Sequence, residues 1–158
     1  MKYVDTMVVF REVPDETTLA INISNCPVKC PGCHSSWLAR DIGETLDEHS
    51  LEELIAGNPG ITCVSFMGGD ADPSYISTLA KWVKDNLPGL KTCWYSGRGL
   101  EAARPYLENL DFVKVGPYID EYGPLDSPTT NQRFYSITHK EKEICLSDWT
   151  SRFKTKIW

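Results

Sequence analysis

The 158-residue sequence lacks any long apolar run; its apolar stretches are short ones such as residues 7–10 (M-V-V-F). A bilayer span needs roughly 20 apolar residues, so no membrane-spanning segment is expected. An excess of positive charge is also lacking. Lys and Arg number 16 against 22 Asp and Glu, a formal net charge of −6. A chain of that sign has no general attraction for phosphate backbones or anionic lipid, so neither nucleic acid nor membrane is expected as a partner. No repeat, low-complexity tract or linker interrupts the sequence, and a single domain over 1–158 is expected. Residues 1–5 (M-K-Y-V-D) lack the apolar core of a signal peptide, so a cytoplasmic, thiol-reducing location is expected. No Ser/His/Asp or paired-carboxylate constellation is visible, and no catalytic acid, base or nucleophile is assigned.

What the sequence does have is cysteine, six in all. In a reducing compartment these read as metal ligands or buried thiols rather than as a disulfide framework. The rest of the chain alternates strand and helix signals, which predicts an α/β fold. Strands are predicted over 19–24, 61–67, 91–95 and 111–115. A short helix is predicted from a capping box between Ser50 and Glu53, with Leu51, Leu54 and Ile55 on one face. A second begins at Asp72-Pro73 and carries Ile76, Leu79, Ala80, Val83 and Leu87 at helical spacing. A third stripe, Leu100, Ala103, Leu107 and Leu110, is interrupted by Pro105. Residues 116–132 are predicted as loop, and 133–137 with 144–146 as a terminal hairpin. The pattern is about four strand-loop-helix units. Right-handed crossovers between parallel strands put the strand-to-helix loops on one edge, where ligands bind in such sheets. Residues 26–33, 68–70, 96–97 and 116–117 fall on that edge.

Residues 26–33 read C-P-V-K-C-P-G-C, three thiols in eight residues. Thiolates select soft metals, with zinc and iron–sulfur clusters foremost. A closed zinc site needs four ligands, commonly as two separated pairs, and no second pair exists here. His34 could be a fourth ligand, but its adjacency to Cys33 makes tetrahedral closure awkward. Three cysteines on a four-iron cluster leave one iron open, which suits chemistry more than electron carriage. The plain alternative is three unrelated loop thiols. Cys63 and Cys93 read as small core residues, and Cys145 has no assigned role. His49 and His139 read as exposed structural residues.

C-x₃-C-x₂-C after a strand of a βα chain resembles the signature of radical S-adenosylmethionine enzymes. Gly68-Gly69-Asp70 resembles that superfamily's Gly-Gly-Glu turn. The chain is closer still to the activating proteins of anaerobic ribonucleoside-triphosphate reductase, through C-P-G-C at 30–33, M-G-G-D at 67–70, W-Y-S-G at 94–97, V-K-V-G-P-Y at 113–118 and T-N-Q-R at 130–133. Asn25 stands where that family usually has a glycine.

The resemblance implies an incomplete (βα) barrel with a mostly parallel sheet, followed here by the short C-terminal hairpin. It implies one [4Fe–4S] cluster on Cys26, Cys30 and Cys33, with S-adenosyl-L-methionine on the open iron. The Gly68-Gly69-Asp70 turn would bind its amino group, and Gly32, Cys33 and His34 would line its adenine through their backbone. From its place after the third strand, Ser96 could reach the ribose or the methionine carboxylate; a simple Ser-Gly turn is the alternative. The implied activity is reductive cleavage to a 5′-deoxyadenosyl radical, which makes a glycyl radical on the anaerobic reductase. Flavodoxin or ferredoxin would supply the electron. Two other classes are a small radical enzyme acting on a free metabolite, such as a deazapurine synthase, and a binding module with structural zinc.

Overall fold

The computed structural model describes residues 1–33 and 35–154. Among these, eight strands form one open sheet in the order β3-β1-β2-β4-β5-β6-β7-β8. They are β1 (Lys2–Val9), β2 (Thr18–Ile23), β3 (Glu44–Thr45), β4 (Cys63–Met67), β5 (Lys91–Tyr95), β6 (Phe112–Val115), β7 (Arg133–Lys140) and β8 (Glu143–Asp148). The helices are α1 (Glu48–Ala56), α2 (Pro73–Asn86), α3 (Leu100–Ala103) and α4 (Ser151–Lys154).

The expectation of a mostly parallel sheet is corrected to a mixed one. Strands β2, β4, β5 and β6 pair in parallel at the centre. Strands β1, β3, β7 and β8 add antiparallel flanks. Connection length decides this for β1–β2 and β7–β8. Parallel neighbours need a long crossover, whereas a short connection can only turn the chain back on itself. Residues 10–17 join β1 to β2 in that way, and the turn at Glu141-Lys142 joins β7 to β8. The expected four strand-loop-helix units reduce to three crossovers, because the chain leaves β6 as a loop and returns as β7.

Strand β1 was not expected from the sequence. It is mostly half-buried and is capped on its outer side by β3 only at Lys2 and Tyr3, so it carries little of the alternation that marks a strand. The capping box of α1 also lies one turn earlier than the Ser50/Glu53 reading. Ser50 N donates to Asp47 Oδ1 at 2.8 Å and Asp47 N donates to Ser50 Oγ at 2.9 Å. The earlier start puts Glu48 in the first turn, where a negative charge suits the helix dipole. Helix α2 begins as expected, with Asp72 as cap and Pro73 behind it. Helix α3 tightens into a 3₁₀ turn at Arg104–Tyr106, where Pro105 removes an amide donor.

Both faces of the sheet are covered. On one, Leu19, Ile21, Val64, Phe66, Trp94 and Val113 pack with Ile76, Leu79, Val83, Leu107 and Leu110. On the other, Val13, Cys63, Cys93, Phe112 and Phe134 form a smaller cluster joined by Trp149 and Phe153. Cys63 and Cys93 are fully buried core thiols, in line with their reading. Burial pushes both thiol pKa values well above the ordinary range, so they stay protonated and unreactive. His49 is exposed and faces Glu53 at 3.4 Å. His139 lies in β7, with Nε2 at 3.3 Å from Leu110 O.

Candidate metal centre

The loop after β2 is closed at its base. Asn25 N donates to Arg40 O at 2.9 Å, Cys26 N to Leu38 O at 3.0 Å, and Ser24 Oγ to Ile42 O at 2.6 Å. Leu38, on the 3₁₀ turn Ser36–Ala39, is the buried plug beneath it. Asn25 has a φ of +60°. That left-handed conformation accounts for the residue type, since asparagine tolerates it better than other side chains when glycine is absent.

Within the loop the sequence dictates a turn. Cys30-Pro31-Gly32-Cys33 closes with Cys33 N donating to Cys30 O at 3.1 Å, and Gly32 has a φ of +75°. Proline second and a positive-φ glycine third make a type II turn. It brings Cys30 and Cys33 together, and Cys26 stands at the tied base. All three thiols are half-buried. Among the described residues no three His, Cys, Asp or Glu side chains converge on a single ion. A cubane cluster asks for a different arrangement, in which each thiolate takes its own corner iron. The donor set, three half-buried thiols on one tied loop, fits such a cluster with one iron left for a non-protein ligand.

The other edge loops come to the same place. Val28 packs against Gly97, where an added Cβ would stand 3.0 Å from Val28 Cγ2. Tyr118, two residues beyond Gly116, donates its N–H to Cys30 Sγ at 3.3 Å. Lys114, at the end of β6, donates its ammonium to Gly116 O at 3.0 Å and Ser96 O at 3.4 Å. Burial lowers its pKa to about 8, against the attraction of Cys30, Asp70, Cys33 and Cys26. The four loops predicted to share an edge therefore do so, and the three cysteines lie among them.

The Gly68-Gly69-Asp70 turn is built differently from its sequence reading. Asp70 is 1% exposed. Its carboxylate accepts from Ser96 Oγ at 2.5 Å and Gly97 N at 2.9 Å, and Arg98 Nε lies 3.9 Å away. The side chain thus ties the β4 turn to the β5 turn. Ser96, also 1% exposed, donates its hydroxyl hydrogen bond to Asp70 and accepts from Arg98 N at 3.0 Å, so its hydroxyl is turned inward. Gly69 has a φ of +89°, and a Cβ there would meet Ile76 Cδ1 at 2.5 Å. This glycine is required for the close seating of α2 on the turn. His34 lies outside the described residues.

Lys114, Tyr118 and Gln132 were not singled out as site residues by the sequence reading. The signal that could have found Lys114 is its charge in the apolar run F-V-K-V of a central strand. Gln132 Nε2 donates to Gly116 O at 3.4 Å, and Asn131 Nδ2 donates to Pro117 O at 3.1 Å. The T-N-Q-R segment is thereby the clamp that fixes the turn carrying Tyr118.

An α/β sheet with a three-thiol loop at the carboxyl end of its parallel strands defines an iron–sulfur protein. The family model described as 4Fe-4S single cluster domain matches residues 17–136, and the chain belongs to that family. The match takes in the parallel strands, the cysteine loop and the start of β7. No curated protein and no solved structure matches the chain. Among the described residues no helix is long and apolar enough to cross a membrane.

Proposed function

We propose that this iron–sulfur domain is a radical S-adenosylmethionine activase. Cys26, Cys30 and Cys33 would hold the single [4Fe–4S] cluster and leave one iron for S-adenosyl-L-methionine. Bound there, S-adenosyl-L-methionine supplies a 5′-deoxyadenosyl radical on one-electron reduction, and the target of that radical is a glycine of an anaerobic ribonucleoside-triphosphate reductase. Flavodoxin or ferredoxin is the proposed reductant, and the cytoplasm the proposed location. The observation that carries the reading is the meeting of the cysteine loop with the turns after β4, β5 and β6 at one edge of the sheet.

The open sheet supports the protein-substrate form of the reading. We take it to be an incomplete (βα) barrel that three crossovers leave unclosed, with β3 and β8 at the two ends of the sheet, so that a protein loop would have a way in. The proposed roles of the chain's own residues are modest. The type II turn presents Cys30 and Cys33; the Asp70–Ser96 tie holds two turns in register; Gly32 and the Gly68-Gly69 backbone offer close approach. Asp70 and Ser96 act in this reading as positioning residues, because their side chains are already bonded to each other. No side chain is assigned a proton-transfer step.

The test is made on anaerobically reconstituted protein, with iron and sulfide counted first. About four of each per chain are expected; one zinc and no sulfide would instead support a structural zinc module. Reduced protein is then mixed with S-adenosyl-L-methionine and an anaerobic ribonucleotide reductase. Electron paramagnetic resonance should show the doublet of a glycyl radical on the reductase. Cofactor cleavage without a protein radical, in the presence of the cognate reductase, would turn the reading to a metabolite enzyme.

A further inference from the structure

We infer that Lys114 is the counter-cation of the thiolate loop, a positive charge fixed at the end of β6 that raises the reduction potential of the cluster on Cys26, Cys30 and Cys33.

The position is unusual. Lys114 sits in a central parallel strand, between the buried Val113 and Val115. Central parallel strands are ordinarily apolar throughout, and an ammonium is costly there unless something compensates it. Its backbone partners are known: Gly116 O at 3.0 Å and Ser96 O at 3.4 Å, with Nζ also 5.9 Å from the centre of the Tyr95 ring. Two carbonyls and a ring face orient the ammonium but do not neutralise it. Among the described residues no carboxylate forms an ion pair with it. The groups whose negative charge would favour its protonated form are Cys30 first, then Asp70, Cys33 and Cys26. The Asp70 carboxylate is already engaged by Ser96 Oγ and Gly97 N. Asp70 keeps its charge but divides it with Arg98, whose Nε lies 3.9 Å away, so the three sulfurs supply the larger part of the counter-charge.

The consequence follows from charge arithmetic. A [4Fe–4S] core of charge +2 on three thiolates carries −1 overall, and one added electron makes it −2. A nearby positive charge stabilises the second state more than the first. Net charge and hydrogen bonds to the sulfurs are among the main controls of cluster potential, and here Tyr118 N–H supplies the hydrogen bond while Lys114 supplies the charge. Gln132 Nε2 shares the Gly116 carbonyl with the ammonium, so the T-N-Q-R clamp fixes the place of the charge as well as the turn.

The inference rests on the cluster being held by the three cysteines, and not on S-adenosyl-L-methionine or on any partner. The test uses the full chain, reconstituted with iron and sulfide, in wild type, Lys114→Gln and Lys114→Arg. Glutamine keeps a donor for the carbonyls without the charge; arginine keeps the charge. The midpoint of the cluster is read by electron paramagnetic resonance through a dithionite titration with mediators and no S-adenosyl-L-methionine. The expected result is a more negative midpoint in Lys114→Gln and a midpoint close to wild type in Lys114→Arg. Equal midpoints in wild type and Lys114→Gln, at equal iron content, overturn the inference. If Lys114→Gln folds but takes up no cluster while Lys114→Arg loads normally, the charge is needed to hold the thiolates at all, and the inference stands. If both variants lose the fold by circular dichroism, Lys114 is a strut and the inference fails. A failure of the cysteine assignment shows separately, as a wild-type protein without four irons or a Cys30→Ala variant that keeps them.

Discussion

Ser96 Oγ donates to Asp70 Oδ1 at 2.5 Å across two turns that are 26 residues apart in sequence, and both residues are 1% exposed. Gly97 N completes the pairing on the other carboxylate oxygen at 2.9 Å. A buried carboxylate with two donors is far from neutral to remove, because the donors are left without partners. Asp70→Ala is expected to destabilise the metal-free protein by about 2–4 kcal/mol, and Ser96→Ala by about 1–3 kcal/mol. Urea unfolding of the two variants and the double variant checks this. The double variant should fall short of the sum, since each single change breaks the same bond. Wild-type stability in Asp70→Ala would show that the carboxylate does not hold these turns together.

That pairing also marks where the sequence stops being readable. Gly68-Gly69-Asp70 and Ser96-Gly97 are each visible as turns, but only the parallel register of β4 and β5, Met67 beside Tyr95, brings them face to face. Long-range register is a tertiary decision. By contrast, strand β5, helix α2 and the terminal hairpin were legible because local pattern and local chemistry agree there: period, cap, proline and turn residues all point one way. The cysteine loop was legible for the same reason, since C-P-G-C dictates its own turn. Strand β1 was hidden because its half-buried edge position imposes no period. The cap at Asp47 was missed because two pairs of residues three apart, Asp47/Ser50 and Ser50/Glu53, both offer side chains able to exchange capping bonds.

Gly69 offers a test of what its turn is for. A Cβ there would meet Ile76 Cδ1 at 2.5 Å and Cγ1 at 2.7 Å, on a backbone with φ of +89°. Gly69→Ala should cost about 2–4 kcal/mol, from left-handed strain together with overpacking. Ile76→Ala costs about 2–5 kcal/mol by itself. In the double variant the clash is gone, so the combined loss should be smaller than the sum of the two. Thermal unfolding of all four proteins decides it. Strict additivity would mean that Ile76 does not press on the turn.

The six cysteines should divide cleanly in two. Cys26, Cys30 and Cys33 are half-buried at the edge loops, whereas Cys63 and Cys93 are sealed in the core and Cys145 lies on the outermost strand β8. Alanine at 26, 30 or 33 should abolish the reconstituted iron–sulfur chromophore with little effect on the far-ultraviolet circular dichroism. Alanine at 63, 93 or 145 should leave iron content unchanged. Loss of the cluster in Cys145→Ala, with the fold intact, would break the division.

The buried thiols also give the metal-free chain a defined response to alkali. In the folded protein burial keeps Cys63 and Cys93 protonated, while in the unfolded chain they ionise near their ordinary value of about 9. Above that pH the folded state binds more protons than the unfolded one, so stability falls, by at most about 1.4 kcal/mol per pH unit for each thiol. Lys114 works the other way. Its folded pKa of about 8 lies below its ordinary value of 10.5, so the unfolded chain binds the extra proton and stability rises with pH across that interval. The lysine is only half-buried, and solvent reduces its share further. Between about pH 9 and 10 two falling contributions oppose one rising contribution, and urea midpoints of the wild type should drop. Tyr95, whose pKa is pushed well up by burial, adds to the fall only above about pH 10. In the Cys63→Ala/Cys93→Ala double variant the two falling contributions are gone. Its stability is lower at every pH through the lost packing, but its slope from about pH 9 to 10 should flatten or turn upward. Anaerobic urea titrations in steps across that window read the slope directly. A double variant whose stability falls as steeply as the wild type's would place the alkaline sensitivity elsewhere than in these two thiols.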